Sequence, residues 1–212
     1  MFEKLRAPWK KLIGPIAKGL VALGVTANMV TVAGAVGTTV FALLTGFTGW
    51  LFPGVVLMTI MVVFDSLDGS VAALTTGATA FGAFLDSSLD RIADWAVLLG
   101  AIIYLIRRPD FWTVWPQIGF WSSLVAMMTS FVTSYVRARA QSIGLDAKNG
   151  IATRSDRLVI ILVGMGLTGL GLPVAVMALF LALLALLGLI TVWQRLRTVY
   201  LQAREAGLTK HM

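Results

Sequence analysis

The stretch DSLDGSVAALTTGATAFGAFLDSSLDRIAD, residues 65–94, holds five of the ten acidic residues of the chain: Asp65, Asp68, Asp86, Asp90 and Asp94. Its surroundings are apolar. Residues 19–64 carry no charge, nor do 111–136 or 158–194. A helix rises about 1.5 Å per residue and the hydrocarbon core of a bilayer is about 30 Å thick, so residues 19–64 are too long for one span and suit two. With 58% hydrophobic residues, 13% charged residues and a mean hydropathy of +0.88 over 212 residues, disorder and a water-soluble fold are both excluded. The aspartates therefore belong to helices that enter a membrane.

Glycine and proline punctuate the rest into an all-α membrane protein of one domain, residues 1–212. Phe2, Leu5, Trp9, Leu12, Ile13 and Ile16 recur at helical spacing among Lys4, Arg6, Lys10, Lys11 and Lys18, which predicts an amphipathic interfacial helix over 1–20. Six transmembrane helices follow within 27–200: about 27–46, 53–74, a third reaching Ile106 after the Thr75-Thr76-Gly77 turn, 114–136 with a polar continuation carrying Arg137 and Arg139, one opening near Asp156, and one ending near Trp193. Fourteen of the seventeen Lys and Arg fall on one side of this arrangement, with Arg107 and Arg108 opposite. Both termini are thus expected in the cytoplasm, in a multi-pass cell-membrane protein. The excess of positive charge suits anionic membrane lipid, and no basic run interleaved with exposed aromatics points to nucleic acid. The absence of Cys excludes disulfides and thiolate chemistry.

An Asp at the centre of a transmembrane helix costs about 2.5 to 3.5 kcal/mol, and four would cost on the order of 10 kcal/mol, so they need compensation. Asp65 and Asp68, at i and i+3, are expected on one helix face, and Gly82, Asp86 and Asp90 form an i, i+4, i+8 row. Packed antiparallel, the two segments would bring four carboxylates together beneath a gap at Gly69 and Gly82. Four hard oxygen donors suit two Mg²⁺ or Mn²⁺ ions, and such a pair serves an enzyme acting on a diphosphate. Asp94, one turn deeper, is expected to be structural or to support the ligands. A divalent-cation transport protein is the non-enzyme alternative.

The pattern Asp65-x-x-Asp68-Gly69-x-x-Ala72, then Gly82-x-x-x-Asp86-x-x-x-Asp90, resembles the signature of the CDP-alcohol phosphatidyltransferase family. The resemblance implies a dimeric six-helix membrane enzyme that moves a phosphatidyl group from CDP-diacylglycerol to an alcohol and releases CMP. It places Asp65, Asp68, Asp86 and Asp90 on the metals, and Asn28, Thr31, Gly69, Ala72, Thr79 and Gly82 around the cytidine and diphosphate. Ala73 belongs with them by position, although the family carries Arg there. Asn28 on its own could equally be a helix N-cap.

The acceptor pocket requires charge opposite to that of the acceptor. Arg137, Arg154 and Arg195 match the basic positions of the family branch whose acceptor is inositol phosphate; a glycerol phosphate acceptor, as in the phosphatidylglycerol phosphate branch, is the alternative. Arg139, Arg157 and Arg197 read as positively charged flanks of the spans. In the implied single displacement Asp90 takes the proton of the attacking hydroxyl, and the one histidine, His211, lies in the C-terminal tail.

Overall fold

The structure, a computed structural model, describes residues 6–75 and 77–207, with side chains from Gly14 onward. Most of the positions behind the amphipathic expectation, and His211, lie outside the described side chains. The described residues form helices joined by short turns, without strands: α1 (Arg6–Ala22), α2 (Ala27–Thr48), α3 (Leu51–Asp65), α4 (Asp68–Leu74), α5 (Ala80–Ile106), α6 (Val114–Ser142), α7 (Arg154–Gly169) and α8 (Val174–Glu205).

Local chemistry sets these boundaries. Thr26 caps α2 by accepting a hydrogen bond from the Met29 amide, and α2 closes at Gly49, whose φ of 76° is the left-handed conformation that glycine adopts without penalty. Thr79 caps α5 through the Gly82 amide. Thr153 and Asp156 form a reciprocal capping box at the start of α7. Between α5 and α6, Arg108 clasps Asp110 at 2.8 and 2.9 Å, and these hydrogen bonds hold the Asp110 carboxyl below the usual carboxylate range.

One expected element is broken. Residues 53–74 were expected as a single span, but the helix stops at Asp65 and restarts at Asp68. At the break Ser66 Oγ donates to the Val63 carbonyl at 2.6 Å, and Leu67 turns inward, 3% exposed, to pack with Ala17 of α1 and Val71 of α4. The final helix also exceeds expectation, running about three turns beyond Trp193 to Glu205.

Beside a buried apolar core, rows of large apolar side chains face outward, unlike those of a soluble protein. Val32, Val36, Val40 and Leu44 of α2 and Leu179, Leu183, Leu186 and Leu189 of α8 point outward, while helix contacts are lined by small residues such as Gly34, Ala42, Gly46 and Gly100. Without a hydrophobic drive between helices in lipid, close backbone approach supplies the packing. Among the described residues three stretches are long and apolar enough to cross a membrane: Ala27–Thr48, Leu51–Leu74 and Val174–Glu205. α7 has only 16 residues, and the first half of α5 carries Asp86, Asp90, Arg91 and Asp94. α2 packs on α3 and α5, α6 and α7 on α8, and α1 on α4.

Where α2 crosses α5, a Cβ on Gly100 would collide with the Ala42 carbonyl oxygen, a backbone atom that cannot rotate away. Gly100→Ala is therefore expected to destabilise the bundle by about 1 to 3 kcal/mol. Unfolding in mixed micelles should show it; a midpoint equal to that of the parent would contradict this crossing.

Candidate active site

The end of α3, the start of α4 and the first half of α5 place the aspartates. Asp65, Asp86 and Asp90 each present a carboxylate oxygen, all within 4.8 Å of one another. Asp68 is not one of this trio but is an electrostatic neighbour of Asp65 and Asp86. Asp65 and Asp68 lie on either side of the break at Ser66–Leu67 rather than on one continuous helix; Asp68 accepts from Thr31 Oγ1 at 3.1 Å and from the Gly69 amide at 2.5 Å. It faces a neighbouring cavity, which Asp86 also lines.

That cavity, of about 580 Å³, lies between α2, α4 and α5 and is also lined by Val21 of α1 and Val25 of the turn that follows it. Asn28, Thr31, Gly69, Ala72, Thr79 and Gly82 all line it. Asn28 is not a helix cap, since Thr26 fills that role; its Oδ1 lies where a Cβ on Gly82 would come within 3.3 Å. Gly69 borders open space. Ala73 is exposed and not among the lining residues. Among the lining residues that sequence reasoning missed are Val21 and Val25, whose place depends on the turn between α1 and α2.

Asp90 and Asp94 meet basic groups from far along the chain. Arg154 Nη1 lies 2.7 Å from Asp90 Oδ1, and Arg154 Nε donates to Asp94 Oδ1 at 3.0 Å. Arg157, expected as a solvent-facing flank, is instead buried, with Nη2 3.5 Å from Asp94 Oδ2. The rotation of α7 needed to turn it inward leaves no local mark in the sequence. Arg91 reaches Asp90 and Asp94 at 3.8 Å and donates to Ser134. Arg195 donates to the carbonyls of Asn149 at 2.9 Å and Thr133 at 2.5 Å, with Arg91, Arg137 and Arg157 as electrostatic neighbours. Arg137 is exposed, Arg139 bonds Ser142, and Arg197 stacks on Trp193.

The α6–α7 loop that delivers Arg154 is strapped to α8. The Asp146 amide donates to Gln202 Oε1 and the Ile151 amide to Gln194 Oε1, while Asn149 Nδ2 donates to Thr198 Oγ1. The carboxylates thus meet an open cavity at Asp68 and Asp86, and Arg91, Arg154 and Arg157 at Asp90 and Asp94.

A family model described as CDP-alcohol phosphatidyltransferase matches residues 24–200. The chain belongs to the CDP-alcohol phosphatidyltransferase family. Among curated relatives, phosphatidylinositol phosphate synthase of Cutibacterium acnes is 41% identical over 206 residues, 94% of this chain and 97% of the relative. The synthase of Corynebacterium glutamicum is 41% identical over 81% of this chain and 76% of its own length. Two crystal structures of the Mycobacterium tuberculosis synthase superpose well. The one with CDP-DAG bound has a TM-score of 0.83 at 34% identity, covering 90% of this chain and 94% of the other. The one with manganese and citrate has a TM-score of 0.81 at 35% identity and 88% coverage of each.

As a CDP-alcohol phosphatidyltransferase, the chain has a donor set that fits a hard divalent cation. The carboxylate trio offers oxygen ligands, and Asp65 Oδ1 is buried with no hydrogen-bond partner, an arrangement that is costly unless a cation completes it. Gly34 of α2 makes that position possible, because a Cβ there would lie 2.7 Å from Asp65 Cβ. Gly34→Ala is accordingly expected to displace Asp65 and weaken Mn²⁺ binding by about ten- to hundredfold, as losses around metal ligands commonly do. Electron paramagnetic resonance titration measures it, and unchanged affinity would show that Gly34 does not set the ligand position.

Proposed function

We propose that the chain transfers the phosphatidyl group of CDP-diacylglycerol to the hydroxyl of an inositol phosphate, giving phosphatidylinositol phosphate and CMP. The observation that carries this proposal is a carboxylate trio of which Asp86 lines a 580 Å³ cavity while Asp90 pairs with Arg154 and Arg91. Relatives that are phosphatidylinositol phosphate synthases over nearly the whole chain support the choice of acceptor.

The mechanism follows from the side chains. Asn28, Thr31, Gly69, Ala72, Thr79 and Gly82 receive the cytidine diphosphate end of the donor, with Ala73 beyond the lining. Asp65, Asp68, Asp86 and Asp90 would hold two Mg²⁺ or Mn²⁺ ions, which when bound neutralise the diphosphate and the departing CMP phosphate. Arg137, Arg154 and Arg195 hold the acceptor phosphate, guanidinium groups being suited to paired hydrogen bonds with its oxygens. Asp90 accepts the hydroxyl proton as the oxygen attacks the phosphatidyl phosphorus and the bond from that phosphorus to the CMP oxygen breaks. Because Arg154 bridges to Asp90, one ion pair aligns acceptor and base.

In the membrane this single domain, residues 1–212, has six spans behind an interfacial N-terminal helix and works as a homodimer in the cell membrane. The site and both termini face the cytoplasm, where fourteen of seventeen basic residues lie.

Four outcomes are expected. CMP release from CDP-diacylglycerol should require a divalent cation and proceed faster with inositol phosphate than with free inositol or glycerol phosphate; preference for glycerol phosphate would overturn the acceptor assignment. Asp65→Asn and Asp86→Asn should abolish turnover in protein that still inserts. Arg195→Ala should raise the KM for inositol phosphate about ten- to hundredfold, the equivalent of a charge-assisted pair, with the donor KM little changed. Topology can be read directly, since the chain has no Cys of its own: a single Cys near 150 should react with an impermeant reagent only from the cytoplasmic side.

A further inference from the structure

We propose that Asp94 is a positioning residue for the acceptor side of the site, fixing the Arg154 guanidinium, and through it the acceptor phosphate, relative to Asp90. The inference rests on the acceptor assignment of Arg154 made above.

Asp94 is 6% exposed and lies outside the carboxylate trio, so its charge needs an explanation of its own. Three guanidinium groups supply one. Arg154 donates from Nε to Oδ1 at 3.0 Å, Arg157 donates from Nη2 to Oδ2 at 3.5 Å, and Arg91 Nη2 stands 3.8 Å from Oδ2. Two of these come from α7, so a carboxylate on α5 orients side chains that begin 60 and 63 residues later.

Arg154 is held at both ends. Its backbone is the first residue of α7, immediately after the cap formed by Thr153 and Asp156. Its side chain is clamped with Nε on Asp94 and Nη1 on Asp90 at 2.7 Å. A guanidinium is planar, so fixing Nε and one Nη fixes the plane and the direction of the remaining edge. At 27% exposure the side chain remains reachable by an acceptor. Without Asp94 the long Arg154 side chain would keep its charge but lose that orientation, and in a near-attack geometry a misplacement of about 1 Å is costly.

The consequence is selective. A merely structural Asp94 would, on removal, disturb donor and acceptor sites alike. As a positioning residue it affects the acceptor, because the donor cavity is lined by α2, α4 and the start of α5 and does not include it.

The full chain in proteoliposomes provides the test, with inositol phosphate as acceptor and Mn²⁺ as the cation. Asp94→Asn keeps the shape and one acceptor oxygen but loses the charge. It should raise the KM for inositol phosphate on the order of tenfold, the size of coupling seen between groups in one ion-pair network. The KM for CDP-diacylglycerol and the Mn²⁺ activation constant should stay as in the parent. Adding Arg154→Ala to Asp94→Asn should cost little more than Arg154→Ala alone. Asp94→Glu retains the charge one methylene further out and should show a smaller rise in the same constant; it carries the test alone if the Asn variant does not fold. An unchanged acceptor KM in Asp94→Asn, beside a raised one in Arg154→Ala, would overturn this inference and leave the acceptor assignment standing. Equal changes in both KM values would mark Asp94 as structural only. If Arg154→Ala itself leaves acceptor KM unchanged, the acceptor assignment falls and this inference with it.

Discussion

Carboxylates inside an apolar helical bundle must be balanced, and the bridge from Arg154 to Asp90 and Asp94 is where this protein does it within the chain. Removing either sign from a buried pair leaves a charge with nothing to offset it, and the loss commonly exceeds the net worth of the pair. The network therefore restricts how α5 and α7 can sit, although these helices touch at few other points. Asp65 and Asp86 make no such ion pair among the described residues. That asymmetry divides the cluster into a part satisfied by the protein and a part that suits a cation.

Packing by small residues supplies the second constraint. Gly34 lets α2 approach Asp65, and Gly46 and Gly100 let α2 cross α5 almost backbone to backbone. Since α2 also carries Asn28 and Thr31, its close fit brings the polar wall of the cavity to the edge of the carboxylates. The N-terminal half of the chain thus builds the cavity, and α7 supplies Arg154 and Arg157 to the ion-pair network that Arg91 of α5 joins. The seam between them passes through α5, whose aspartates serve both.

Much of this was legible in sequence because the signals are local. Uncharged runs bounded by Gly, Pro and Arg located the helices, and the spacing of Asp86 and Asp90 on one continuous helix survived in three dimensions. The interruption at Ser66 and Leu67, between Asp65 and Asp68, was not legible, since it leaves the i, i+3 pattern unaltered. Asn28 and Thr26 compete for one cap within two residues, and composition cannot choose between them. Arg157 looked like Arg139 in its surroundings; only the rotation of α7 against α5, fixed by contacts 63 residues apart, distinguishes a buried ion pair from a solvated flank.

The wide sequence separation within the Asp94 network also bears on how the protein is made. A ribosome adding about 5 to 20 residues per second exposes Asp94 several seconds before Arg154 exists. Through that interval α5 carries its acidic first half towards the bilayer with only Arg91 nearby to offset it. The helix is then better accommodated near the headgroups, or beside the insertion machinery, than fully seated. Arrival of α7, with its loop strapped to α8, would release it to settle. The last third of the chain would in this way act as an internal assembly factor for the middle third, making correct membrane integration contingent on synthesis reaching the C-terminal helices.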